Sequence, residues 1–201
     1  SNGRAIVSRL APLSLSRFLD FRWDKVYGAI DQSGQVVVPI KYDYISLHSE
    51  CIAVVQRNGR YGAIDLDGNV VIPLRYSYLG EFHEGLAVAQ KHEGEKYGYM
   101  NLEGKFVIEP LQDIDYPFQG SYQLQNSPES RNFYRGKALF RNANGQHGYI
   151  DKTAEIVIEP TFDLAFPFKG ELAKFEHDGR VGYINLEGDI VWSTEEPVED
   201  W

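Results

Sequence analysis

The chain has one cysteine, Cys51, and one methionine in 201 residues. A single thiol excludes an intramolecular disulfide framework and any multi-cysteine metal site. Long apolar runs are missing too: no stretch approaches the roughly 20 residues that a helix needs to cross a bilayer. Basic residues are scarce, with 20 Lys and Arg against 29 Asp and Glu and a net charge of -9. The deficit is uneven. Residues 1–26 carry five basic and two acidic side chains, a balance of +3, which leaves -12 for the remainder. A body so acidic excludes nucleic acid or an anionic membrane surface as the main partner. The segment Arg4 to Phe18 is basic and moderately apolar, but Arg9, Pro12 and three serines interrupt it, so it does not read as a signal peptide. Low-complexity tracts are absent, and a hydrophobic content of 43% is enough for one sizeable core.

What the chain does have is a unit that returns about every 35 residues. An aromatic-Gly pair leads into Ile-Asp, a Gly turn and a Val/Ile run: Tyr27-Gly28-Ala29-Ile30-Asp31, Tyr61-Gly62-Ala63-Ile64-Asp65 and Tyr97-Gly98-Tyr99-Met100-Asn101. It continues as His147-Gly148-Tyr149-Ile150-Asp151 and Val181-Gly182-Tyr183-Ile184-Asn185. Such a period marks a stacked architecture in which each unit hides its apolar face against its neighbours.

Within a unit, β-rich runs alternate with turn signals. Ile52 to Gln56 meets Asn58-Gly59, a strong signal for a two-residue hairpin; Tyr61 to Asp65 returns, and Asp67-Gly68 turns into Val70 to Ile72. Each unit therefore reads as a three-stranded antiparallel meander. Thr153-Ala154 departs from the second turn, which implies a different or a strained turn there. A proline follows each third strand, at Pro39, Pro73, Pro110 and Pro160, and is expected to end pairing because it lacks a donor. A Phe-x-x-Gly or Phe-x-Gly element then re-enters the next unit, at Phe82 to Gly85, Phe118 to Gly120 and Phe168 to Gly170, with Cys51 in the glycine position of the first linker. Tyr61 and Ala63 point to one face and Gly62 and Ile64 to the other, so both faces need cover.

The expected fold is all-β: about five three-stranded meanders over residues 17–192 forming an open, β-solenoid-like stack, with a five-bladed β-propeller as the alternative. The first strand of unit one is placed near Phe18 to Trp23. Residues 1–16 are read as an N-terminal cap or linker and 193–201 as an acidic tail.

These residues resemble the WG repeat family of bacterial proteins, also called KWG repeats. Its unit looks like Lys-Trp-Gly-(Tyr/Phe)-Ile-Asp, a Gly turn, Val-Val-Ile-Pro, Tyr-Asp and Phe-x-Glu-Gly-Leu-Ala. The match runs over about residues 20–192 and is carried by Gly62 to Asp65, Val70 to Pro73, Tyr76 and Phe82 to Ala87, with parallel sets elsewhere. The family's tryptophan is replaced by Tyr27, Tyr61, Tyr97, His147 and Val181. The resemblance implies a β-rich repeat without established catalytic residues, often accompanying other domains, and it implies no substrate and no cofactor.

Candidate sites follow from what the repeat does not absorb. Asp65 to Asn69 superficially matches a calcium loop, but lacks the further ligand and closing glutamate, and reads as turn chemistry. Cys51 near His48 could form a thiol–base pair, yet Cys51 holds a repeat position taken elsewhere by glycine. The five histidines, His48, His83, His92, His147 and His177, show no paired zinc spacing, and no metal is expected. No Gly-rich phosphate loop, Gly-x-Ser-x-Gly elbow or His-Glu-x-x-His pattern occurs.

The period breaks once, since Gly98 to Gly148 spans 50 residues against 34 for Gly28 to Gly62. The insertion is placed at Ser121 to Arg135, and Tyr122, Arg131, Phe133, Tyr134 and Arg135 are its candidate binding residues, because Tyr and Arg favour interfaces. A second candidate is the row of aromatics after the prolines, Tyr42, Tyr44, Tyr76, Tyr78, Phe162 and Phe166, which suits either packing between units or a groove for sugars or peptides. The function expected is a non-enzymatic module binding another protein or a cell-surface polymer, against a carbohydrate hydrolase with convergent carboxylates or a structural spacer.

Overall fold

The computed structural model describes residues 4–11, 24–46, 49–110 and 132–194. These form five small antiparallel sheets. Sheet one holds β1 (Ala5–Ala11), β2 (Asp24–Ile30) and β3 (Val36–Tyr42). Sheet two holds β4 (Tyr44–Ile45), β5 (Ile52–Arg57), β6 (Arg60–Asp65) and β7 (Val70–Tyr76), and sheet three holds β8 (Tyr78–Leu79), β9 (Leu86–Gln90), β10 (Gly98–Asn101) and β11 (Phe106–Ile108). Sheet four holds β12 (Ala138–Arg141), β13 (His147–Ile150) and β14 (Ile156–Phe162); sheet five holds β15 (Leu164–Ala165), β16 (Ala173–His177), β17 (Arg180–Ile184) and β18 (Ile190–Ser193).

The turns follow the expected chemistry. Asn58 and Gly59 both take positive φ, 52° and 73°, and close a two-residue hairpin in which Arg57 pairs with Arg60. In the second turn of each unit an Asp or Asn oxygen gathers the loop's own N–H groups. Asp65 Oδ1 accepts from the N–H of Asp67 and of Asn69, both at 2.9 Å, and Asp151 Oδ1 does the same for Thr153 and Glu155. Thr153-Ala154 is therefore the same turn, with Ala154 at φ 70° where other units place glycine. Its cost is backbone strain, so Ala154→Gly should stabilise the chain by about 1 kcal/mol. A rise in the urea midpoint at unchanged slope would show it.

Two expectations about the exit from each unit are corrected. Pro39, Pro73 and Pro160 lie inside β3, β7 and β14 and do not end pairing. Each sits at a bulge: Tyr61 pairs with Tyr76 but Ala63 pairs with Ile72, so three residues, including Pro73, arch opposite Gly62 alone. A Cβ on Gly62 would lie 2.5 Å from the Ile72 carbonyl oxygen and 2.9 Å from Leu74 Cα. The aromatic-Gly glycine is thus fixed by a close backbone crossing. Second, the aromatic stretch after the bulge is a strand in its own right. Asp43 bends the chain out of sheet one, and β4 pairs with β5 through Tyr44 with Gln56 and Ile45 with Val55, which makes sheet two four-stranded; sheets three and five repeat this.

The sheets stack face to face, each junction filled by one apolar cluster drawn from two successive sheets. Ala29, Val38 and Tyr42 of sheet one meet Ile45, Val55 and Ile64 of sheet two. Val54, Ala63 and Ile72 of sheet two meet Leu79, Ala89 and Met100 of sheet three. Clusters around Ile108 with Phe140, and around Ile158 with Phe175, continue the series. Ala63 and Ile64 serve opposite junctions, which accounts for strands apolar on both faces. Burying a side chain such as Ile72, fully covered, is worth about 1.5–3 kcal/mol. A recurring lock closes each junction: the second turn of one unit seats on the third strand of the unit before. Cβ positions on Gly68, Gly104 and Gly188 fall 3.4, 3.4 and 3.2 Å from side-chain carbons of Val38, Ile72 and Ile158, and Ala154 packs into the cluster that holds Ile108. Successive sheets therefore form a stacked series, and none of them closes into a barrel.

Two register assignments differ from expectation. The strand paired with β2 is β1, from Ile6 opposite Ala29 to Leu10 opposite Lys25, while Phe18 to Trp23 lies outside the described residues. In unit four the turn matching Phe82 to Gly85 is Phe133 to Gly136: Tyr134 bridges Lys137 as His83 bridges Leu86. Phe133, Tyr134 and Arg135 are thus repeat residues and not insertion; Phe118 to Gly120 lies outside the described residues, as do 193–201 beyond Thr194.

Candidate functional site: a tyrosine groove held by a glutamate relay

Four equivalent re-entry turns, at Glu50-Cys51, Glu84-Gly85, Arg135-Gly136 and Gly170-Glu171, are each closed by a bridge. Cys51 takes φ 65°, matching 85° at Gly85. Nothing lies within 4 Å of a Cβ on Gly85, so the position selects for conformation and not for small size. Glu50 and Glu84 each reach forward to the next turn. Glu50 accepts from the Gly85 N–H at 2.9 and 3.1 Å through its two oxygens. Glu84 accepts from Arg135 N–H at 2.6 Å and Gly136 N–H at 2.9 Å, and Lys152 sits 3.1 Å from the same carboxylate while donating to the Glu84 carbonyl at 2.8 Å. Burial opposes the charge on Glu84, but those N–H groups and the ammonium outweigh it and hold the carboxyl below its ordinary value. The signal was present in sequence as a Glu before the re-entry glycine, but its partner lies a whole unit away.

Glu50 thus ties unit two to unit three, the units whose tyrosines meet, and Glu84 ties unit three to unit four. Tyr61 and Tyr78 rings lie 5.6 Å apart, and Tyr78 and Tyr97 rings 5.7 Å apart and edge-on. Two grooves share Tyr78 as a wall. One, of about 490 Å³, is lined by Tyr44, Tyr61, Tyr78, Glu81, His83 and Asn132. The other, of about 710 Å³, runs past Arg60, Tyr78, Glu93, Glu95, Lys96 and Tyr97. Burial, with Glu81 and the neighbouring phenols, raises the Tyr44 hydroxyl above its usual value, so it stays a neutral donor at physiological pH. Burial does the same at Tyr61. Beyond sheet three the row ends: His147 stands in the aromatic position, buried, with Nδ1 3.0 Å from the Asp163 carbonyl, and burial lowers its basicity so that it is neutral.

Tyr61 and Tyr97, at the head of each aromatic-Gly motif, are thus brought onto one face with the strand-exit tyrosines. The chain belongs to the WG containing repeat family. The family model matches residues 27–61, 61–94, 97–112 and 148–180, more than half the chain. No curated protein matches it. Among solved structures the chain is similar to BamB from Moraxella catarrhalis, at 14% identity and a TM-score of 0.43, covering 86% of this chain and 56% of that one. It is also similar to virginiamycin B lyase from Staphylococcus aureus, at 17% identity and 0.39, covering 86% and 64%, and to apo AztD from Citrobacter koseri, at 16% and 0.37, covering 87% and 54%. The chain spans between about half and two thirds of the length of these solved chains.

The WG repeat accounts for several of the candidate residues. Of the strand-exit aromatics, Tyr42, Tyr76 and Phe162 are core, while Tyr44 stays 42% exposed and Tyr78 and Phe166 are half-buried, so the row splits between packing and groove. Tyr122 and Arg131 lie outside the described residues. Phe133 is buried with its ring 4.8 Å from that of Tyr99, because it fills the pocket that Phe82 fills one unit earlier, and it cannot face a partner. Tyr134 and Arg135 are exposed on the re-entry turn. Cys51 is exposed, and His48 lies outside the described residues. Among the described residues one group, Asp163, His177 and Asp178, has donor atoms within 4.8 Å of one another. Its close approaches, Nδ1 to Asp163 at 3.7 Å and Nε2 to Asp178 at 3.5 Å, use opposite ring nitrogens. Asp163 also accepts the Asp178 N–H at 2.8 Å. A ring held between two carboxylates describes this better than three donors converging on an ion.

Proposed function

We propose that this chain is a non-enzymatic WG repeat module that binds an extended partner, another protein or a cell-surface polymer, along the tyrosine groove. The observation that carries the reading is the row Tyr61, Tyr78 and Tyr97, spaced at 5.6 and 5.7 Å on or beside the strands and flanked by open grooves. Tyrosine offers a broad ring and a hydrogen-bonding tip at low entropic cost, which suits a long ligand with repeating apolar and polar groups. The walls mix Glu81, Glu93 and Glu95 with Arg60 and Lys96, so orientation is set by charge while the rings supply area.

A hydrolytic reading draws less support. General acid catalysis needs a carboxyl raised toward neutrality. The carboxyls whose acidity is altered among the described residues, Asp31, Asp65, Glu84, Glu103 and Asp151, are all lowered, chiefly by hydrogen bonds from turn groups or lysine.

The test is binding to panels of immobilised peptides and of polysaccharides, comparing the parent with Tyr78→Ala and with Tyr134→Ala/Arg135→Ala. Tyr78→Ala should weaken any ligand about 10-fold or more, the size expected for a central aromatic anchor, while the double variant binds as the parent does. The reverse pattern would move the site to the re-entry turn. Turnover of a polysaccharide by the parent would sink the non-enzymatic reading.

A further inference from the structure

We infer that the two ends of the stack are complementary, and that the exposed face of sheet five receives sheet one of a second copy of this chain, head to tail. The four internal junctions supply the template. In each, the residue after the repeat glycine and its cross-strand partner on the third strand are covered by the following unit. Ala29, Ala63, Tyr99 and Tyr149 are 0–1% exposed, and Val38, Ile72, Ile108 and Ile158 are 0–8% exposed. The same two positions in sheet five are Tyr183, at 40%, and Trp192, at 55%, paired across β17 and β18 with rings 6.2 Å apart.

What covers the internal positions is the second turn of the next unit, seated on the third strand at Gly68, Gly104, Ala154 and Gly188. The one second turn without a seat is that of unit one: among the described residues nothing lies within 4 Å of a Cβ on Gly34. Among the described residues, unit one therefore presents an unseated turn and unit five an uncovered seat. On the same side of sheet one, Val7 pairs with Gly28 as Val55 pairs with Gly62, and Ile30 matches Ile64. Val55 and Ile64 are the residues with which sheet two covers sheet one. A second copy thus offers sheet five the group types that every internal junction uses.

One substitution tempers the contact. Where Val54, Val88 and Leu139 stand opposite Ala63, Tyr99 and Tyr149, sheet five has Lys174 opposite Tyr183. Its ammonium is held by Glu176 at 3.0 Å and lies over the Phe166 ring. The end face is therefore less apolar than an internal one, and association across it is reversible and concentration-dependent. A contact that joins different surfaces on two copies does not cap itself, so it builds chains or rings of copies.

Sedimentation of the full chain over a wide concentration range tests this. The parent should rise above its 22.9 kDa monomer mass as concentration increases. Trp192→Lys, which blocks the seat, and Val7→Lys, which blocks the opposite face, should each stay monomeric alone. An equimolar mixture of the two should form a dimer and nothing larger, because each retains one good end. The mixture also controls for misfolding, since an unfolded variant cannot complement. A parent that stays monomeric throughout, or a Trp192→Lys variant that associates like the parent, overturns the inference.

Discussion

Gly62→Ala is expected to destabilise the chain by about 3 kcal/mol or more, at the upper end for forcing one carbon into a packed place. The reason is that the obstacle is backbone. The new Cβ would meet the Ile72 carbonyl at 2.5 Å and Leu74 N and Cα at 2.9 Å, where no side chain can swing aside. Relief would require undoing the bulge that lets Tyr61 pair with Tyr76 and Ala63 with Ile72. That would shift Ile72 out of the cluster it shares with sheet three. At about 2–4 °C per kcal/mol for a chain of this size, the melting temperature should fall by about 6–12 °C. Gly59→Ala is the control: its Cβ meets open space, and only its φ of 73° is penalised, at about 1 kcal/mol. Equal losses at the two positions would show that conformation, not the close crossing, selects glycine in the aromatic-Gly pair.

Glu84→Gln should cost about 2–3 kcal/mol at neutral pH, because a neutral amide replaces a carboxylate that accepts two turn N–H groups and neutralises Lys152. The effect should depend on pH in a definite sense. The folded-state carboxyl lies below its ordinary value of 4.5. Its stabilisation is complete above that value and is lost as pH falls through the lower, folded-state one. Melting curves of parent and variant should therefore lie far apart at pH 7 and converge as the pH falls through the folded-state value. Asp31, Asp65 and Asp151 are also held low by their own turns, but they are common to both proteins and cancel in the difference. A gap that persists unchanged in acid would mean that Glu84 acts through packing alone.

The proposals for function and for association depend on the same geometry at different places. The groove needs the tyrosines of units two and three side by side, and Glu50 ties those two units together at their re-entry turns. The end face needs only that the junction positions covered four times inside the chain stay exposed on sheet five among the described residues. Loss of self-association in Trp192→Lys should leave ligand binding at Tyr78 intact.

Local chemistry was legible in the sequence because short-range physics decides it. Asn58-Gly59 and Asp65 to Asn69 can close only as turns, alternating apolar residues on both strand faces demand cover on both sides, and five copies in register demand a stack. What tertiary structure decided were the interactions whose partners lie a unit or more away. Pro73 reads as a terminator until a bulge lets it arch over Gly62; Glu84 reads as a surface charge until Gly136 arrives from 52 positions on. Phe133 looks like an insertion residue until the register makes it the equivalent of Phe82. Tyr61 and Tyr78 become one groove, and Trp192 becomes an uncovered face, only when sheets are set beside one another. The strands were written in local preferences, while the site and the free ends arose from stacking, which no window shorter than the repeat contains.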